Sequence, residues 1–186
     1  MVGGEPTHIA DQEAPIVIFD VMCSELIKST YDNNTELLLI SPWVKDYSIP
    51  HVWPNFLSNF FEISDMQKMS DIIRKVCENG VDVTLLTKNE EMLKKDWTGV
   101  SANKNITESL RFHDLIRSAG CKIVYSQKNH SKKIVSSQST FITSSNITKT
   151  GLGDTQGNAG TYGTKNDFPK YWEDSRKDCL EKIKKG

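Results

Sequence analysis

The sequence predicts an α/β protein, a mixed and mostly parallel sheet flanked by helices on both faces. Three observations carry this. Short apolar runs of strand length alternate with longer segments of helical period. Two apolar pairs late in the chain, Ile134-Val135 and Phe141-Ile142, flank a polar break and predict a hairpin. A chain of 186 residues with 37% hydrophobic and 25% charged side chains is long enough for one core.

Taken in order, residues 1–15 are polar and are expected to be a flexible N-terminus, leaving residues 16–186 as a single domain. Ile16 to Thr30 carries Phe19, Met22, Cys23, Leu26 and Ile27 at helical spacing, with Pro15 suited to the first turn. Asp32-Asn33-Asn34 breaks the chain, and Glu36 to Ile40 is a buried strand ending at Ser41-Pro42. Residues 44–63 are aromatic-rich, a long connection that suits a satellite core, a dimer contact or a substrate wall. A helix is expected from Ser64 to Glu78, stopped by Asn79-Gly80, and a second strand from Val81 to Thr87. Thr107 to Ala119 is a further helix with Gly120 as its stop, and Cys121 to Tyr125 the third strand. His130 to Val135 and Phe141 to Thr143 are the fourth and fifth. Residues 151–163, with five glycines, predict turns before an amphipathic helix over 167–185.

Composition narrows the function classes. No run approaches the length of a membrane helix, and the N-terminus has no basic region followed by an apolar one, so neither a membrane nor a secretory leader is expected. Cys23, Cys77, Cys121 and Cys179 form no close pair and no cluster with histidine; reduced thiols in a cytoplasmic protein are expected, with no metal and no cofactor. The net charge of −1 hides an asymmetry: residues 1–80 carry 5 basic and 12 acidic side chains, residues 81–150 carry 11 and 6. The basic surplus suits an anionic partner, although it also describes a solvated face. Lys88, Lys94, Lys95, Lys104, Arg111 and Arg117 could line a nucleic-acid backbone or be ordinary solvated charge. His113 beside Asp114 on a helix suits packing or surface, because neighbours i and i+1 face apart. Nothing catalytic is expected of His8, and little of His51.

The stretch from Asn129 to Asn146 holds the chemistry. On an extended strand His130 and Lys132 share a face, and the hairpin returns Ser144 and Asn146 beside them. An imidazole, an ammonium, a hydroxyl and an amide then converge as a phosphoryl group requires. His130-x-Lys132, strand, turn, strand, Ser144-x-Asn146 resembles the His-x-Lys signature of the phospholipase D superfamily, in a single-motif, nuclease-like form. Ser136 or Ser137 stands where that pattern has Asp, Thr143 where it has Gly, and Asn158 near a further expected acid. The resemblance covers roughly residues 16–183 and implies the α/β/α sandwich of that family. It implies His130, Lys132 and Asn146 as catalytic residues: His130 attacks phosphorus, and Lys132 and Asn146 hold nonbridging oxygens. Ser144, Lys133 and Ser145 would bind substrate.

One motif is half of such a site, so the resemblance also implies a homodimer with the site at the interface and a second histidine from the partner. The expected function is a metal-independent phosphodiesterase acting on nucleic acid, DNA before RNA. The rival is a catalytically silent module of the same fold that binds DNA or a protein partner, for example within a restriction or defence system.

Overall fold

The computed structural model describes residues 5–10, 13–48, 61, 68–148 and 160–186. The aromatic stretch 49–60, the expected helix start at 64–67 and the place of Asn158 lie outside the described residues.

Seven strands form one sheet: β1 (Thr7–Ile9), β2 (Glu36–Ile40), β3 (Asp82–Thr87), β4 (Lys122–Tyr125), β5 (Lys133–Ser136), β6 (Ser139–Thr143) and β7 (Gly160–Thr164). The helices are α1 (Ala14–Lys28), α2 (Met69–Glu78), α3 (Glu90–Asp96), α4 (Ala102–Ser118) and α5 (Pro169–Lys185). The strand order is β1-β7-β6-β5-β2-β3-β4. The sheet is mixed, as expected, but its parallel part is smaller than expected. Among the described strands only β2–β3 and β3–β4 run parallel, while β2–β5, β5–β6, β6–β7 and β1–β7 are antiparallel. The cause is the hairpin, which turns β5 against β2 and propagates antiparallel pairing to the edge.

Side-chain alternation along β2 explains helices on both faces. Leu37 and Leu39 join Val83, Leu85, Ile134 and Phe141 under α1, α2 and α4. Leu38 and Ile40 join Leu86 and Val135 under Trp172, Cys179, Leu180 and Ile183 of α5. A strand buried on both faces reads as a continuous apolar run, which is what Leu37 to Ile40 shows.

Three elements were absent from the sequence expectation, and α4 begins at Ala102 rather than Thr107. Thr7–Ile9, placed in a loose terminus, pair with Gly160–Tyr162 as an edge strand, with Ile9 buried. β7 replaces part of the expected turn. Its glycines answer to packing, since a Cβ at Gly160 would strike the Phe141 ring and one at Gly163 would meet Tyr171 at 2.9 Å. α3 shows no apolar period because Leu93 alone is buried; Asn89 caps it by accepting the Met92 N–H at 3.0 Å.

Candidate active site

Register places the four motif residues at one edge of the sheet. Ile40 lies beside both Leu86 and Lys133, and Lys133 lies beside Ile142. The carboxyl ends of β2, β3 and β6 therefore meet the amino end of β5. That edge lies outside the carboxyl ends of β2 and β3, where open α/β sheets bind ligands.

The spacing predicts His130 and Lys132 on regular strand, but β5 begins at Lys133. They sit on its approach, held by other means. Asn129 is buried, donates to Leu86 O at 3.4 Å and accepts the Ser131 N–H at 3.0 Å. Lys182 of α5 donates to Ser131 Oγ at 2.6 Å. Thr143 N–H donates to Lys132 O at 3.0 Å, which ties the approach to the end of β6. His130 is exposed, Lys132 half-buried, and the Lys132 ammonium donates to the His130 carbonyl at 3.0 Å.

The other arm is stitched to the end of β2. Buried Ser41 donates from its hydroxyl to Trp43 O at 2.7 Å, accepts the Ile147 N–H at 3.2 Å and lies 3.5 Å from Asn146 Oδ1. Lys45 N–H donates to Ile147 O at 3.1 Å beside a Val44–Ile147 bridge. Ser144 is exposed at this edge, and Asn146 half-buried. Two expected substrate contacts leave the group. Lys133 turns to α5 and donates to Asp178 Oδ2 at 2.7 Å, because a one-residue step on the strand reverses the face. Ser145 is buried, and its Oγ has no hydrogen-bond partner among the described residues.

The structure adds residues that spacing did not reveal. Lys88, which the sequence left between a nucleic-acid contact and ordinary solvated charge, is 6% exposed just beyond β3. Its ammonium pairs with Asp96 at the end of α3, and Trp43 Nε1 donates to the same Asp96 oxygen at 3.1 Å. Burial and then the Lys88 charge push the Lys132 ammonium below its ordinary range. Burial opposes ionisation of Asp96, but Lys88, Trp43 and the His130 charge together hold its carboxyl low. In sequence nothing singled out Lys88 from Lys94 and Lys95, which pair along α3 with Glu90 and Glu91. Lys104 and Arg117 similarly pair with Glu108 and Asp114 along α4.

At the far end of β5, Ser136 and Ser137 occupy the place of the motif Asp. Ser136 Oγ shapes the hairpin turn, accepting from Gln138 N–H at 3.1 Å and Ser139 N–H at 3.0 Å. Ser137 meets a carboxylate from elsewhere. Glu25 of α1, fully buried, accepts Ser137 N–H at 3.2 Å, the Ser137 hydroxyl at 3.0 Å and Glu36 N–H at 2.8 Å. Burial raises the Glu25 carboxyl, and these donors with the Lys28 charge oppose the rise. His113 belongs to neither group. It is buried on α4, and burial and the Arg117 charge push its imidazole down to about 4.

Among the described residues, no group of three or more His, Cys, Asp or Glu side chains is placed to hold a metal ion, and no helix is long and apolar enough to cross a membrane. What the edge can do chemically is receive an anion. It presents two ammonium groups, an imidazole, a hydroxyl and an amide, with one carboxylate, Asp96, paired to Lys88.

Comparison with known proteins agrees with this architecture. NucT from Helicobacter pylori superposes with a TM-score of 0.55 at 11% identity, covering 97% of this chain and 96% of that one. The phospholipase D family member Nuc from Salmonella typhimurium superposes with a TM-score of 0.52 at 15% identity, covering 96% and 94%. A polyphosphate kinase from Porphyromonas gingivalis aligns over 84% of this chain, which spans 22% of the kinase, with a TM-score of 0.45 and 14% identity. No curated protein sequence matches significantly. The profile of the family described as "Cardiolipin synthase, PLD-like domain" matches residues 55–167, more than half of the chain. By its sequence over that span and its fold, the chain belongs to the phospholipase D-like domain family.

Proposed function

We propose that this protein is a metal-independent phosphodiesterase that cleaves nucleic acid, DNA before RNA, through a phosphohistidine at His130 in a homodimer. The observation that carries the reading is the meeting of the His130–Lys132 approach with the Ser144–Asn146 turn at one edge of the sheet. A ring nitrogen of His130 bonds to phosphorus as the bond to the leaving oxygen breaks, and that oxygen takes a proton from the partner's His130. Water then attacks the phosphohistidine, giving its proton to the partner's imidazole; the P–N bond breaks and the site is restored. Lys132 and Asn146 hold the nonbridging oxygens, and Ser144 orients them.

A groove beside the site supports a strand-like substrate. Leu86, Met92 and Tyr125 line it with Lys128, Lys182 and Lys185, enclosing about 680 Å³ next to Asn129. The exposed Lys128 and Lys185 ammonium groups over an aromatic and apolar floor suit a phosphate backbone with bases stacked below. The four free cysteines, three of them buried, fit the cytoplasmic setting we infer.

The rival, a silent module that binds DNA or a protein partner, draws on Ser136, Ser137 and Thr143 at motif positions. Glu25 weakens it by bringing a carboxylate to Ser137. The test is incubation with labelled single- and double-stranded DNA in excess chelator, beside His130→Ala. Cleavage is expected from the native chain and a loss of at least about 10³-fold in the variant. Absence of cleavage by either, with DNA still bound, would establish the silent module instead.

A further inference from the structure

We propose that Lys88 and Asp96 are working parts of this edge: Lys88 offers a second ammonium to the phosphoryl oxygens beside Lys132, and Asp96 holds and positions Lys88 until an anion arrives. The proposal rests on the phosphoryl-site reading above and adds to it a cation and a positioning carboxylate from outside the motif.

Burying a lysine costs free energy that an apolar side chain of similar length avoids. Lys88 is nevertheless the one buried lysine among the described residues, on the residue that follows β3. Its position is not that of a simple staple. A second ammonium, Lys132, lies close enough to feel its charge, and among the described residues no carboxylate forms an ion pair with Lys132. Asp96 serves several groups at once: Lys88 and Trp43 both reach its Oδ2, and the His130 charge acts on it. Lys88 has its charge met by one carboxylate that also feels His130, and Lys132 has no carboxylate paired to it among the described residues; the group is undercompensated, and a phosphoryl oxyanion completes it. The arrangement is not visible in sequence, because Lys88 and Asp96 lie more than thirty residues before His130 and are brought there by β3 and α3.

The test uses tungstate, a phosphate-shaped oxyanion, titrated calorimetrically into the full chain. Lys88→Met is expected to weaken binding about 10-fold or more, and Lys88→Arg to restore most of it. Asp96→Asn removes a competing negative charge and is expected to bind tungstate about 3-fold or more tighter, while kcat for nucleic acid falls and KM does not rise. Asp96→Glu should recover kcat. A folded Lys88→Met chain that binds within twofold of the native overturns the proposal. So does Asp96→Asn binding more weakly than the native chain, the outcome of a purely structural pair. That second arm decides alone if Lys88→Met does not fold. A native chain that binds tungstate with these responses but cleaves no nucleic acid removes the phosphodiesterase reading and leaves this one standing. A native chain that cleaves yet binds tungstate independently of Lys88 does the reverse.

Discussion

His130 and His113 are the same residue type with opposite surroundings. His130 stands exposed among charged groups, while His113 is 1% exposed, with neither ring nitrogen hydrogen-bonded among the described residues. The second environment has a measurable consequence. In the unfolded chain His113 titrates near the ordinary value of about 6.5; folded, it is held down to about 4. Between those values the unfolded state binds the extra proton, so folding stability falls as pH falls from about 6.5 toward 4. The loss should be on the order of 3 kcal/mol, and chemical denaturation across that range measures it. His113→Leu should flatten the curve, and an unchanged slope in that variant would refute the assignment. Sequence placed His113 in a packing or surface role because Asp114 lies on the adjacent, outward side. The same local logic left the role of Lys88 open: spacing along a chain says nothing of Asp96 and Trp43, which the fold brings near it.

At the scale of elements, the β5–β6 hairpin is held at both ends by groups from distant parts of the chain. His130 and Lys132 lie at one end; at the other, Glu25 clamps Ser137 and the start of β2. Glu25→Ala would leave the Glu36 N–H and the Ser137 hydroxyl without this acceptor, while the Ser137 N–H keeps Glu36 O, a loss on the order of 2 kcal/mol. A fall in denaturation midpoint with unchanged m-value is expected; an unchanged midpoint would show the clamp to be idle. The hairpin and the strands on either side of it were readable because each buries an apolar pair. β7 and α3 were not. Gly160 and Gly163 imitate a turn although rings pack where their Cβ atoms would stand, and α3 buries Leu93 alone, below any detectable period.

At the scale of the molecule, a formal charge of −1 coexists with a basic groove beside the site. Nucleic-acid affinity is therefore expected to fall steeply with added salt. Lys128 and Lys185, both exposed in the groove, should each carry about one phosphate contact. Replacing both with Ala should reduce the slope of log affinity against log salt by about 1–2, with little change in stability. An unchanged slope would move the substrate path elsewhere. The groove was not legible in the chain, since Tyr125, Lys128 and Lys185 come from a strand, a turn and the last helix.

The sequence by itself determined the α/β class, the chief helices and strands, and the His130–Lys132 and Ser144–Asn146 pairs. These are local properties: burial on a strand or helix imposes a period, and a hairpin joins residues a few positions apart. Only the tertiary structure decided the direction of the outer strands, the withdrawal of Lys133 to Asp178, and the arrival of Glu25, Lys88 and Asp96 at the two ends of β5. Those follow from where the sheet edge falls. Pairing β5 beside β2 joins distant segments through buried charges, which carry no period along the chain.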